Sequence, residues 1–296
     1  WNVSAGVGDV GRVYLPLQFF FCRNYGLALP LIALQYHEVK FNIQFRSAKF
    51  MEGAHNLERG SSCCDKVTLG GSMYCDYIFL DTDERRRFAQ VSHEYLIEQL
   101  QFTGANSIAA SATSAKIDLN FNHPVKELIW VVQDSDYANA SGTDNQYGQQ
   151  LFAYSDQVTK AKLQLNGHDR FSERNGDYFR KVQRYQHHSG ANRINRLEQT
   201  GMNASADFTV NAREQSDPSA IHVYSFALQP EEHQPSGTCN FSRIDNAVLN
   251  LTLSGSQGKD ARFSLPSAAA TECRVYATNY NVLRIMSGMG GLAYSN

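Results

Sequence analysis

The sequence predicts an all-β protein made of two related β-sandwich modules, of which the first is incomplete. Three observations lead to this prediction. Apolar residues alternate with polar ones in several runs, as in strands with one buried face. Long loops rich in Gly, Ser, Asn, Asp and Gln separate these runs. The same order of strands and loops also occurs twice along the chain, about 200 residues apart.

The individual elements follow from their local patterns. Alternation predicts strands at Val39–Phe45, Ile117–Phe121, Ala161–Leu165, Ile221–Val223 and Ala247–Leu253. Loops are predicted at Gln133–Gln150, Asn166–Asn175, Ser189–Asp207 and Ser254–Thr271. One helix is predicted at Thr82–Gln90, because Thr or Asp can cap it and acidic residues precede basic ones along the helix dipole. We expect this short helix to connect the two modules.

The repeat also predicts how much of the first module is present. Its three strands are Arg12–Leu15, the run from Val39 and Cys75–Ile78, and they correspond to Ile221–Tyr224, the run from Ala247 and Cys273–Val275. The offsets are 208 residues from Val13 to Ile221, 208 from Val39 to Ala247 and 198 from Cys75 to Cys273. Because repeated units are usually of similar size, the first module lacks roughly 130 residues. Half a sandwich leaves strand edges unpaired. We therefore expect either a truncated sequence or another segment that completes the sheet.

Composition and charge argue against two classes of function. Lys and Arg number 27 against 29 Asp and Glu, and charged residues make up 19% of the chain. A net charge of −2 gives no field that attracts a phosphate backbone, so no nucleic-acid partner is expected. The apolar stretches Leu15–Phe21 and Leu27–Leu34 fall short of the ~20 residues of a membrane span, so no membrane insertion is expected. The chain begins at Trp1 without Met, and we expect its natural start to lie upstream.

The cysteines indicate a reducing environment. There are six of them, with no C-x-x-C pair to hold zinc or exchange disulfides: Cys22, Cys63, Cys64, Cys75, Cys239 and Cys273. We expect reduced, mostly buried thiols, which fits assembly in a reducing cytoplasm.

No motif for catalysis, a cofactor or a metal ion stands out. Ser287 lacks the spacing of a nucleophile elbow, and the glycines of Gly288–Gly291 predict a terminal turn rather than a phosphate loop. The adjacent residues His187 and His188 have no third ligand at a suitable spacing, so an exposed polar pair is predicted. For Asp83–Glu84, beside three arginines, local ion pairing and helix capping are expected. We expect no enzyme activity, no cofactor and no metal site.

Long strings of residues carry a family resemblance. They are Gly26–Val39, Asp76–Thr82, Phe88–Gln90, His93–Leu100, Leu119–Pro124, Leu165–Gly167, Pro235–Asn246 and Asn279–Tyr294. With these strings the chain resembles the major capsid protein family of the large nucleocytoplasmic DNA viruses, most of all the chlorella-virus type. The resemblance extends from about residue 12 to the end of the chain, and matches of this length are highly specific.

The resemblance implies a fold and a function. The family folds as two consecutive eight-stranded antiparallel jelly rolls, and three copies form a pseudo-hexagonal trimer that tiles an icosahedral shell. Residues 1–82 would then be the C-terminal part of the first jelly roll, 83–90 the connector and 91–296 the second jelly roll. The implied role is a structural major capsid protein of the virion, assembled in the host cytoplasm. Its implied partners are further copies of itself and minor capsid proteins.

Two sets of surface residues are predicted. Consecutive aromatics on a strand face both sides, so Phe19, Phe20 and Phe21 are candidates for a contact between the two rolls or between protomers, with burial inside one roll as the alternative. Five Asn-x-Ser/Thr acceptors occur. Asn139 and Asn203 are the better glycosylation candidates because they lie in long polar loops, and the weaker candidates are Asn2, Asn240 and Asn250.

A second class of function is a jelly-roll carbohydrate-binding protein or glycan-active enzyme. It would need an aromatic platform on the loops or a pair of catalytic carboxylates. Trp130, Tyr137 and Tyr147 are the candidates for the platform, and no clear acid/base pair accompanies them.

Overall fold

A computed structural model describes residues 14–44, 70–109, 112–134, 157–189, 220–253 and 271–294. Its contacts divide the chain into two compact units. The first unit joins the described parts of Trp1–Val39, Ile78–Gln99 and Asn281–Ser295. The second unit joins those of Lys40–Tyr77 and Leu100–Tyr280 and contains most of the strands.

One antiparallel sheet is built around two strands of 16 residues. Its strands are β1 (His93–Ile108), β3 (Pro124–Asp134), β7 (His222–Ser225), β8 (Cys239–Asn240), β10 (Thr271–Met286) and β11 (Met289–Leu292). The strand order is β1-β10-β3-β7, with β11 paired to β10 and β8 paired to β3.

A second antiparallel sheet has five strands. They are β2 (Ser114–Asp118), β4 (Val158–Leu165), β5 (His168–Asp169), β6 (Arg174–Asn175) and β9 (Ala247–Leu253). The order is β2-β9-β4-β5, and β6 also pairs with β4. Strand β9 has the alternating burial that the sequence predicts, with buried residues at every second position from Ala247 to Leu253. The short strands β5 and β6 lie where the sequence predicts a continuous loop.

The core of the second unit lies between the inward faces of these strands. Strand β3 contributes buried Leu128, Trp130 and Val132, and β9 contributes buried Leu249 and Leu251. On β3 and β9 these core residues occupy alternate positions, as a two-sheet sandwich requires. Burial of this apolar cluster is the main source of stability of the second unit.

The helices of the described residues are short. They are α1 (Phe20–Arg23), α2 (Thr82–Gln90) and α3 (Gln183–His187), and a π-helical turn, Tyr178–Val182, runs directly into α3. Turns of 3-10 helix occur at Tyr25–Leu27, Leu31–Ala33 and Phe241–Arg243.

The predicted helix is confirmed at Thr82–Gln90, and its role as a connector remains a prediction. Its cap is Asp81, one residue before the predicted cap. The Asp81 N–H donates to Glu84 Oε2 at 3.3 Å, which is half of a capping box. The predicted local ion pairing is present as well, with Arg86 3.8 Å from Asp83. Both side chains are exposed, so this pair adds little stability.

The strands predicted for the first module are not observed in its described residues. Residues 14–15, 39–44 and 75–78 lie outside helices and strands, although alternation or the repeat predicts strands there. A strand requires a hydrogen-bonded neighbour, and none of the described strands pairs with these segments. Tyr77 and Ile78 are accordingly 69% and 59% exposed. Residues 12–13 and 45 lie outside the described residues.

The turn predicted for the terminal glycines is present at Gly288, whereas Gly290 and Gly291 lie in strand β11. Ser287 and Gly288 connect β10 to β11, and both have positive φ angles, 54° and 83°. Such a two-residue turn favours glycine. The Gly288 carbonyl accepts the Tyr36 N–H at 2.9 Å, and a Cβ at Gly288 would lie 2.4 Å from Tyr36 Cδ2. Glycine at this position therefore also permits the close approach of Tyr36.

Candidate assembly surface

Three consecutive phenylalanines form an aromatic cluster in the first unit. Phe20 and Phe21 belong to helix α1, so the prediction that Phe19–Phe21 lie on a strand is wrong. Phe19 is the extended residue that precedes the helix. The Phe19 and Phe21 rings stack with centroids 5.2 Å apart, and Phe20 meets Phe21 edge-on at 5.1 Å. Phe19 is 44% exposed, whereas Phe20 and Phe21 are half-buried. The cluster thus offers water an apolar surface, and the predicted interface role remains a prediction.

Helix α1 is held in the first unit by a charge contact. The Arg23 guanidinium donates to Glu98 on β1 at 3.1 Å, and the Glu98 side chain is 12% exposed. A small apolar cluster of Ala33, Leu34 and Ile285 lies in the same unit.

Large apolar side chains are exposed elsewhere on the first unit. They are Tyr14, Leu15, Tyr25, Leu31, Tyr36, Val39, Ile78, Phe79, Val91, Met286, Met289, Leu292 and Tyr294. Phe79 is 94% exposed, which is far from the usual state of a phenylalanine. These exposed apolar residues of the described chain are candidates for contact with another chain or segment.

The outer face of the five-stranded sheet is polar, unlike the apolar exposed residues of the first unit, and charged side chains form ion pairs across it. Lys160 on β4 donates to Glu173 at 3.0 Å, and Lys162 pairs with Asp169 at 3.2 Å. The hydrogen bond from Lys160 is the main cause that lowers the pKa of Glu173. Hydrogen bonds from Gln164 and Lys162 lower the pKa of Asp169. Such a network suits a face in contact with water.

Two glycosylation candidates can be placed. Asn250 lies on this polar face, and its Nδ2 donates to Gln164 Oε1 at 2.9 Å. The Asn240 side chain is exposed, and its Oδ1 accepts the Ser242 N–H at 3.1 Å. In Asn250 the nitrogen that would carry a glycan is therefore engaged. Asn2, Asn139 and Asn203 lie outside the described residues.

Trp130 cannot belong to the surface aromatic platform that a carbohydrate-binding site would need. Trp130 is 1% exposed and belongs to the core, where its ring packs 5.1 Å from Phe179. The prediction that it lies on a loop is wrong, because Trp130 is in the middle of strand β3. Tyr137 and Tyr147 lie outside the described residues.

The histidine pair is not the exposed pair that the sequence predicts. His187 and His188 are both half-buried at the end of α3. His187 Nδ1 donates to the Leu228 carbonyl at 3.0 Å, and His188 lies between Glu127 and Glu231 at 3.1 and 3.2 Å. Sequence reasoning missed this cluster because the carboxylates are distant along the chain. Within the described residues, no group of three or more His, Cys, Asp or Glu could hold a metal ion.

The cysteines are less buried than expected. Cys22 and Cys75 are exposed, Cys239 is half-buried and Cys273 is buried, and all four are free thiols. Burial raises the pKa of Cys273 to about 12, so this thiol is unreactive. Burial also raises the pKa of Cys239. The exposed cysteines, Cys22 and Cys75, belong to segments with few buried side chains. Cys63 and Cys64 lie outside the described residues.

No helix among the described residues has the length and apolar character that crossing a membrane requires.

Comparison with known proteins decides the family. A family model described as the large eukaryotic DNA virus major capsid protein matches residues 84–196 and 209–291, and one described as the major capsid protein N-terminus matches residues 1–81. The chain belongs to this capsid family. The resemblance inferred from the sequence is confirmed.

Individual relatives agree with the family model. The major capsid protein of Pyramimonas orientalis virus is 52% identical over 296 residues, which are 100% of this chain and 64% of that protein. The major capsid protein of Paramecium bursaria Chlorella virus 1 is 43% identical over 337 aligned residues, covering 100% of this chain and 69% of that protein. The chain thus spans about two-thirds of the length of these relatives.

A solved capsid structure supports the fold. A quasi-atomic model of the PBCV-1 virus capsid matches with a TM-score of 0.63 and 38% identity, over 97% of this chain and 72% of that chain. The structural neighbours are double jelly-roll capsid proteins, and the sheets of this chain are antiparallel. The predicted all-β, double jelly-roll class is confirmed.

Proposed function

We propose that this chain is part of a structural major capsid protein, which associates with copies of itself to build an icosahedral virus shell. The observation that carries the proposal is the agreement of the whole chain with proteins named major capsid protein, at 52% and 43% identity. The exposed apolar residues of the first unit support the same role, because a shell subunit needs surfaces that neighbouring copies cover.

The proposed assembly unit is a homotrimer with a pseudo-hexagonal outline. In a three-fold ring each copy presents two different surfaces, and closure of the ring limits its growth. Obligate interfaces of this kind bury above roughly 2,000 Å² and are largely apolar. The aromatic cluster Phe19–Phe21 is our candidate for part of such an interface, between protomers or between the two jelly rolls. Contacts between trimers, and with minor capsid proteins, would then form the lattice.

The domain organisation is proposed to follow the two jelly rolls. Residues 1–82 form the C-terminal part of the first roll, 83–90 the connector and 91–296 the second roll. The confirmed helix Thr82–Gln90 supports the position of the connector. The ranges matched by the two family models, 1–81 and 84–291 with a gap at 197–208, support the same division.

Cellular location and modification belong to the same proposal. The protein is a component of the virion capsid, assembled in the host cytoplasm, where the free thiols of Cys22 and Cys75 stay reduced. Asn139 and Asn203 are the proposed glycan acceptors, because they lie in long polar loops of the sequence. We propose no catalytic role, no cofactor and no nucleic-acid partner.

The test is light scattering coupled to size-exclusion chromatography, on the protein expressed with all the sequence that its gene encodes. The proposal predicts a single species with three times the mass of one chain. A monodisperse monomer at micromolar concentration would contradict it. A glycan array on the same material distinguishes the capsid role from the alternative function, since specific binding of one glycan would favour a carbohydrate-binding protein.

A further inference from the structure

His188 connects three elements of the second unit. It follows helix α3 directly, its Nε2 lies 3.1 Å from Glu127 Oε2 on β3, and its Nδ1 lies 3.2 Å from Glu231 Oε1 on the loop after β7. The side chains of His188, Glu127 and Glu231 are 19%, 10% and 43% exposed. The imidazole ring therefore lies between one nearly buried carboxylate and one half-exposed carboxylate.

The same loop is fastened to the end of α3 by further contacts. The Ser189 N–H lies 3.1 Å from both carboxylate oxygens of Glu231, and the Ser189 hydroxyl donates to Oε2 at 2.6 Å. His187 donates to the Leu228 carbonyl at 3.0 Å. Residues Leu228–Glu231 are thus held at both ends, and Leu228 remains 73% exposed.

The protonation state of His188 determines how many of these contacts are favourable. A neutral imidazole carries one N–H and can donate to one carboxylate, whereas an imidazolium carries two and attracts both. The contact with Glu127 is the main cause that raises the pKa of His188, and Glu231 raises it further, while burial of the ring opposes them. Hydrogen bonds from Ser189 are the main cause that lowers the pKa of Glu231.

Two further polar groups contact the backbone of His188 and the side chain of Glu127. Helix α3 supplies the Arg184 backbone carbonyl, which accepts the His188 N–H at 2.9 Å. Strand β10 supplies the Thr278 hydroxyl, 3.4 Å from Glu127 Oε1. Glu127 and Glu231 are the charged groups of the described residues that act on the ring, and both favour its protonation.

We propose that His188 is a proton-controlled clamp, which fastens the loop Leu228–Glu231 to β3 and to the end of α3 when protonated and loosens it when neutral. The folded-state pKa lies above the ordinary 6.5, so the contribution of the clamp is full below pH 6.5 and is lost as the pH rises through the folded-state pKa. The contacts all lie within the second unit, so the proposal does not depend on the proposed function.

Amide exchange at Ser189 tests the clamp, because its N–H donates to Glu231. After correction for the intrinsic pH dependence of exchange, we expect the protection of Ser189 to fall roughly tenfold or more between about pH 6 and pH 9, as for the loss of one charged hydrogen bond. In His188→Gln this fall should be absent. The matched control is His168→Gln, which removes an exposed histidine of the same unit and should keep the fall.

Two further measurements keep the test decisive if a variant is unstable. NMR titration of the His188 ring in the unmodified protein should give a pKa above 6.5, and Glu231→Gln should lower that pKa. A His188 pKa at or below 6.5 would overturn the proposal, as would a protection step of the same size in His188→Gln.

Discussion

His222 makes the second unit sensitive to acid. Its ring is fully buried at the start of β7 and stacks on the indole of Trp130, with centroids 5.5 Å apart and planes 13° apart. Burial lowers the pKa of His222 from 6.5 to about 3, and the nearby Arg180 charge contributes in the same direction. The folded protein therefore excludes a proton that the unfolded chain accepts.

The size of the effect follows from this difference in pKa. Because the folded-state pKa is depressed, the stability is present above about pH 6.5 and is lost as the pH falls toward the folded-state value. Between pH 7 and pH 5 the unfolded chain becomes almost fully protonated at His222, while the folded protein stays neutral there. At 1.36 kcal/mol per pKa unit, the expected loss in the free energy of unfolding is about 2 kcal/mol.

Urea denaturation at pH 7 and pH 5 measures this loss. His222→Phe keeps an aromatic ring against Trp130 and removes the titration, and His168→Phe is the control at an exposed histidine. On acidification from pH 7 to pH 5, the free energy of unfolding of the unmodified protein and of the His168 variant should each fall by about 2 kcal/mol more than that of His222→Phe. Since His188 and the carboxylates titrate in all three proteins, their contributions cancel in the comparison. Equal losses in all three proteins would refute the reasoning.

Three further predictions concern packing, assembly and modification. Gly176→Ala places a Cβ 2.1 Å from a backbone carbonyl oxygen of β4, so urea denaturation should show a loss of about 1–3 kcal/mol, whereas Gly291→Ala, with nothing within 4 Å, should change stability by less than about 0.5 kcal/mol. Equal effects of the two substitutions would contradict the packing at Gly176. Phe20→Asp puts a charge into the aromatic cluster and should reduce the trimer fraction in sedimentation velocity; an unchanged trimer would remove the cluster from the interface. Intact-protein mass spectrometry of virion-derived protein should show glycan mass that Asn139→Gln or Asn203→Gln reduces, and a mass equal to the polypeptide alone would exclude both sites.

Local sequence patterns predict the elements whose structure is decided locally. The helix Thr82–Gln90 has its cap and charges within nine residues, and its predicted bounds are confirmed. Strand β9 alternates strictly, and its bounds, Ala247–Leu253, are those predicted. Strand β3 was missed, because Leu128–Val132 is a continuous apolar run rather than an alternation. Burial on both of its faces explains this run, since Val131 and Val132 are 6% and 0% exposed.

Structural features that depend on contacts between residues far apart along the chain could not be predicted from the sequence. Alternation at Val39–Phe45 matches that of a true strand, yet residues 39–44 form none, because a strand also needs a neighbour. The pair His187–His188 looks like any exposed polar dipeptide. Its actual partners, Glu127 and Glu231, come from a strand and a loop that only the folded sheet brings together. Tertiary contacts of this kind leave no periodic signal in one sequence.

Negative-stain electron microscopy of the purified protein tests the assembly hypothesis most directly. If the protein forms the proposed trimer, the particles have a three-lobed, hexagonal outline that class averages resolve with three-fold symmetry. Single compact bodies without symmetry, at concentrations where light scattering finds no larger species, would contradict it.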